Sequence, residues 1–171
     1  MPNSTAGSVH TGGHAEDLAD KPLVMIAEDD TELRSLLADT LIEEGCVVRT
    51  AADGRELLAM LSAVSRGEIP MPALIVTDVR MPRCSGMDVL AALRLAGWEV
   101  PVVIITGFGD GQVHANAGTL GAAIVLDKPF DFDTLRAVVR LSLRSANAPL
   151  SSTNKEDATL ESARPTKRDR T

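Results

Sequence analysis

Apolar positions along the chain follow two alternating patterns. The first is the short unbroken run: "LVMIA" from Leu23, "ALIVT" from Ala73, "VPVVIIT" from Val100 and "AAIVL" from Ala122. Apolar runs this short, closed by polar or charged residues, predict strands buried on both faces. "CVVRTA", from Cys46, predicts a further, more exposed strand. The second pattern is helical. Leu33, Leu36, Leu37, Thr40 and Leu41 recur at three- and four-residue spacing, which makes them one face of a helix, and Gly45 is a natural C-cap for it. Asp53 followed by Glu56 gives a capping-box-like start to a second helix, with Leu57, Met60, Leu61 and Val64 inward. "GEIPMP" is a loop. "MDVLAALRLAG" predicts a helix ending at Gly97, and "DFDTLRAVVRLSLR" a last one with Leu135, Val138, Val139 and Leu141 on its buried side. The segment "GFGDGQVHANAGTLGA" occupies the place of a helix but is rich in Gly. Each Gly in a helix interior costs about 1 kcal/mol relative to Ala, so a short or frayed helix is expected there.

Strands alternating with helices imply a parallel sheet covered on both faces by right-handed crossovers. The predicted fold is a three-layer α/β/α sandwich with five parallel strands, spanning residues 22–144 as one domain. Residues 1–21 and 145–171 lack apolar periodicity and are expected to be disordered tails; the basic end "RPTKRDRT" is read as solvated. There is no internal repeat.

Composition narrows the classes. Aromatics make up 2% of 171 residues, with no Tyr and a single Trp, Trp98, so the core must be aliphatic. No apolar run approaches the roughly 20 residues needed to span a bilayer, and the N-terminus lacks a secretory pattern. Cys46 and Cys84 match no metal-ligand spacing and suit a reduced, cytoplasmic protein. A formal net charge of −7 gives no reason to expect nucleic-acid binding by the bulk surface.

The candidate chemistry lies at the carboxyl ends of the strands, where open parallel sheets gather their ligands. Glu28, Asp29 and Asp30 follow the first strand, Asp78 follows "ALIVT", Thr106 ends "VPVVIIT" and Lys128 follows the fifth strand. Adjacent carboxylates at a buried strand end repel one another and lose hydration unless a cation compensates them. Clustered carboxylate oxygens suit a hard divalent cation such as Mg²⁺. A carboxylate beside Mg²⁺ can attack a phosphoryl group, whose charge would then be met by the metal, Lys128 and Thr106. Asp30 or Thr31 is the N-cap of the following helix. His10, His14 and His114 match no constellation and are read as surface residues, as is Arg34.

With these residues in place, "IAEDDTELR", "IVTDVRMPRCSGMDVL", "VVIITGFGD" and "LDKPFD" together resemble the four signature stretches of bacterial response-regulator receiver domains, over about Leu23 to Arg144. The resemblance implies a flavodoxin-like strand order 2-1-3-4-5. It makes Asp78 the phosphoacceptor. Asp29 and Asp78 would bind Mg²⁺ (or Mn²⁺) with the backbone carbonyl of Arg80, and Glu28 would act through a metal-bound water. Thr106 and Lys128 would contact the phosphoryl oxygens, and Pro129 would follow a cis peptide bond. Val125 occupies the place of the family's aromatic switch residue. Switching is therefore expected to rely on reordering residues 107–122. Arg80 and Phe108 would flank the path of the hydrolytic water and shield the acyl phosphate.

The implied function is a stand-alone receiver taking a phosphoryl group from a sensor histidine kinase or a histidine phosphotransfer protein. Its output would be contact with an unknown downstream protein, or relay of the phosphoryl group. The implied domain catalyses its own phosphorylation and slow dephosphorylation rather than turning over a separate substrate. It would contact no nucleic acid and no membrane, and a homodimer stays open. Two alternatives stand beside this reading. One is a degenerate receiver acting as a phosphorylation-independent binding module. The other is an Asp-nucleophile phosphohydrolase, against which Arg80 stands where a general acid would be needed.

Overall fold

The computed structural model describes residues 21–107 and 111–146. Five strands, β1 (Leu23–Ala27), β2 (Val47–Ala51), β3 (Leu74–Asp78), β4 (Val102–Gly107) and β5 (Ile124–Lys128), form one parallel sheet in the order β2-β1-β3-β4-β5. Five helices connect and follow them: α1 (Thr31–Glu43), α2 (Gly54–Ser65), α3 (Gly86–Leu95), α4 (Gly111–Thr119) and α5 (Phe132–Ala146). The expected sandwich and strand order are both observed. Most of the two tails expected at 1–21 and 145–171 lies outside the described residues. Ser145 and Ala146 belong instead to the end of α5.

Pleating sorts the strand residues onto two faces. Met25, Ala27, Ile75, Val102 and Ile104 pack with Leu57 and Leu61 of α2, Val89, Leu90 and Leu93 of α3, and Ala117 of α4. Val24, Ile26, Leu74, Val76, Val103 and Ile105 pack with Leu37 and Leu41 of α1 and Leu135 and Val139 of α5. Burial on both faces is why β1, β3 and the first five residues of β4 are apolar and buried with so little interruption. The edge strands β2 and β5 are partly exposed.

The helix ends follow local chemistry. Asp30 caps α1 by accepting from the Leu33 amide. At the other end, Gly45 takes φ +84, and its amide and that of Cys46 close onto Ile42 and Leu41 carbonyls. The capping box expected at Asp53 is only half formed: Asp53 accepts from the Glu56 amide, but the Glu56 carboxylate accepts from Ala52, one residue earlier. A reciprocal box does form at α3 between Ser85 and Asp88.

Two inward assignments are corrected. Leu36 and Leu141 are exposed, at 51% and 58%. The buried line of α5 runs Leu135, Val139, Ser142, so the helical period places Ser142, not Leu141, against the sheet. β4 and β5 also begin two residues later than the apolar runs suggested, at Val102 and Ile124. Helix α4 is short, as its glycines implied, and Ala117 is its one buried residue. Among the described residues no helix is long and apolar enough to cross a membrane.

Candidate functional site

Strand register builds the site. Ala27 pairs with Thr77, so Glu28 and Asp78 come side by side at the carboxyl edge of β1 and β3. Glu28, Asp78 and Lys128 each lie two residues beyond a residue packed on the α1/α5 side, namely Ile26, Val76 and Leu126. The two-residue period carries all three side chains to one side of the sheet, where they meet. Lys128 Nζ donates to Glu28 Oε2 at 2.9 Å and to Asp78 Oδ2 at 3.1 Å. Asp78 Oδ1 accepts from the Arg80 amide at 3.3 Å, and Glu28 Oε1 from the Asp30 amide at 3.3 Å.

Glu28 is 1% exposed and Asp78 6%, whereas Asp29 is open to solvent. Burial pushes the Glu28 carboxyl up; the hydrogen bond from Lys128 opposes that shift and the Asp78 charge adds to it. Burial also works against the Lys128 ammonium, but hydrogen bonds to Glu28 and Asp78 outweigh it and hold its pKa above the ordinary lysine value. One oxygen from each of Glu28, Asp29 and Asp78 can lie within 4.8 Å of the others. Three carboxylates face one ammonium, an unbalanced set of hard oxygen donors that fits a divalent cation such as Mg²⁺.

Other predicted residues sit around this centre. Thr106 is fully buried at the end of β4. It is out of phase with Asp78 and Lys128 on the pleat, and its hydroxyl donates to the Gly107 carbonyl at 3.4 Å. Pro129 follows a cis peptide bond. Val125 is partly buried and packs on the side of the sheet that carries α4. Arg80 is exposed beside Asp78, and Phe108 lies outside the described residues.

The loop from β3 to α3 is held from two sides. The Gly86 amide donates to the Val79 carbonyl at 3.2 Å, and a Cβ on Gly86 would lie 2.3 Å from the Asp78 carbonyl oxygen, so this close approach requires glycine. Arg83, at φ +69, forms an ion pair with Asp53, the N-cap of α2.

Three contacts escaped sequence reasoning. Arg34, read as a surface cation, donates to the Glu28 carbonyl at 2.6 Å. Its place in the first turn after the acids was the available signal. His114 and Asp127 pair at 2.8 Å across α4 and β5. That pairing and Arg83–Asp53 join distant segments and leave no local trace.

Known proteins share this sequence pattern and fold. Residues 24–140 match the response regulator receiver domain family. The chain is 39% identical over 124 residues to the transcriptional regulatory protein FixJ of Azorhizobium caulinodans, covering 72% of this chain and 56% of that protein. It is 37% identical over 122 residues to the transcriptional regulatory protein PdtaR of Mycobacterium tuberculosis, covering 70% and 56%. The crystal structure of the receiver domain of NtrX from Brucella abortus superposes with a TM-score of 0.63 at 30% identity, covering 71% of this chain and 98% of that one. The chain belongs to the response regulator receiver domain family. It spans little more than half the length of FixJ and PdtaR.

Proposed function

We propose that the chain accepts a phosphoryl group on Asp78 from a phosphohistidine of a histidine kinase or phosphotransfer protein. The observation that carries this reading is the clustering, among the described residues, of Glu28, Asp29, Asp78 and Lys128, with Lys128 bridging the two buried acids. Asp29, Asp78 and the Arg80 carbonyl would hold Mg²⁺, with Glu28 acting through a bound water. When bound, the metal would supply neutralising positive charge at the transferring phosphoryl group. An Asp78 carboxylate oxygen attacks phosphorus while the phosphorus–nitrogen bond of the donor breaks; the imidazole leaves with that electron pair and takes its proton from solvent. Lys128, kept protonated by its two acid partners, turns to the incoming phosphoryl oxygens, and the Thr106 hydroxyl would leave the Gly107 carbonyl to join it.

Output would be contact with another protein or onward relay of the phosphoryl group, as phosphorylation biases two conformations of the domain. Helix α4 is suited to move, since it is short and buries only Ala117. Arg80 would shield the acyl phosphate from water.

The test is intact mass after incubation of the full chain with Mg²⁺ and a small-molecule acyl phosphate, on wild type and Asp78→Asn. A gain of one phosphoryl group in wild type alone supports the reading. No gain together with no released inorganic phosphate would favour a binding module that does not depend on phosphorylation.

A further inference from the structure

Glu28 has every polar group engaged. Its amide donates to the Ala51 carbonyl at 3.2 Å, its two carboxylate oxygens accept from Asp30 and Lys128, and its carbonyl accepts from Arg34 Nη1 at 2.6 Å. The same nitrogen lies 3.4 Å from the Asp29 carbonyl oxygen, and Arg34 Nη2 lies 3.3 Å from Thr31 Oγ1. Among the described residues, the hydrogen bonds of Arg34 all go to carbonyl and hydroxyl oxygens. The guanidinium therefore holds the acidic loop by its backbone and leaves the carboxylate oxygens to other partners.

The geometry has a specific consequence for Asp29. A carbonyl oxygen marks the orientation of its rigid peptide plane. The Glu28 carbonyl belongs to the plane before the Asp29 Cα, and the Asp29 carbonyl to the plane after it. Pinning both restricts φ and ψ of Asp29 together, and with them the direction of its Cα–Cβ bond. Asp29 needs this from outside, because it is exposed and its carboxylate makes no hydrogen bond among the described residues. Glu28 and Asp78, in contrast, are oriented by Lys128 and by backbone amides.

We propose that Arg34 is a positioning residue for the acidic pair, holding the carbonyls of Glu28 and Asp29 so that the Asp29 carboxylate stays aimed at Asp78. This inference rests on the reading that these acids hold Mg²⁺. It differs in sign from simple electrostatics. A nearby cation repels Mg²⁺, so deleting Arg34 would tighten binding if charge were its whole effect. Loss of positioning weakens binding instead, in the range of about 10–100-fold seen when groups that orient metal ligands are removed.

The experiment is calorimetric Mg²⁺ titration of the full chain as wild type, Arg34→Ala, Arg34→Lys and Leu37→Val. Leu37 is fully buried on the same helix, so its truncation lowers stability without touching the acids. The expected result is binding about tenfold weaker for Arg34→Ala, an intermediate loss for Arg34→Lys, whose ammonium reaches fewer acceptors, and no change for Leu37→Val. Binding by Arg34→Ala as tight as wild type, or tighter, would overturn the inference and leave the metal reading intact. An equal loss in Leu37→Val would also overturn it, since general loosening of α1 would then account for the effect. Absence of Mg²⁺ binding by wild type would overturn the metal reading, and this inference with it.

Discussion

Lys128 and Glu28 are 100 residues apart in the chain and 2.9 Å apart in the fold. Their pairing ties the end of β5 to the end of β1 beside Asp78 and places an ammonium between two buried acids. Burial still leaves the Glu28 carboxyl above its ordinary pKa, so its ionised form is disfavoured in the folded domain. In metal-free buffer at neutral pH, Glu28→Gln is expected to raise the urea unfolding midpoint while weakening Mg²⁺ binding. Opposite movement of the two quantities, read by denaturation and by calorimetry, separates a functional acid from a structural one.

Gly86 lies against the Asp78 carbonyl, and a Cβ there has no room. Gly86→Ala is expected to destabilise the domain by about 1–3 kcal/mol through overpacking and to disturb the backbone of Asp78. Gly118, within α4, has open space at its Cβ position. Gly118→Ala is expected to stabilise by about 0.5–1 kcal/mol. Equal effects of the two substitutions in urea titrations would contradict this account.

The Ser142 hydroxyl is buried and has no hydrogen-bond partner among the described residues. Ser142→Ala removes an unsatisfied polar group and is expected to stabilise by about 1 kcal/mol. The same change at Ser145, whose hydroxyl donates to the Leu141 carbonyl on the exposed side of α5, is the comparison. A loss of stability in Ser142→Ala would mean that the hydroxyl has a partner.

Helices α1 and α5 are clasped by ion pairs from Arg136 to Glu43 and Glu44 and from Arg140 to Glu44. The hydrogen bond from Arg140 holds the Glu44 carboxyl below its ordinary value of 4.5. A carboxylate with a lowered folded pKa contributes its stability above the ordinary value and loses it as pH falls through the folded one. Glu44→Gln should therefore be less stable than wild type at neutral pH, and the difference should vanish in acid below both values. Hydrogen exchange of α5 amides across that range provides the check.

Much of this domain was legible before any coordinates. The runs at Leu23, Ala73, Val100 and Ala122 announced buried strands because a sheet covered on both faces excludes polar residues from its middle. Glu28, Asp29, Asp78 and Lys128 could be placed at strand ends because each stands where an apolar run stops. Leu36 and Leu141 were misassigned for one reason: a leucine within reach of the helical stripe looks the same whether or not a neighbour covers it. Only packing decides, and it chose Ser142 over Leu141. The Arg83–Asp53 and His114–Asp127 pairings were silent because each joins two distant segments.

The order of apolar and polar residues by itself determined the alternation of strands and helices, the parallel sheet and the acids at its edge. Those features follow from local periodicity and from the burial it demands. The tertiary structure alone decided that Lys128 bridges Glu28 and Asp78, that Gly86 lies against the Asp78 backbone and that the Arg34 guanidinium donates to the Glu28 carbonyl. Each of those contacts depends on strand register and loop path, which set distances of a few ångströms between residues the chain itself keeps apart.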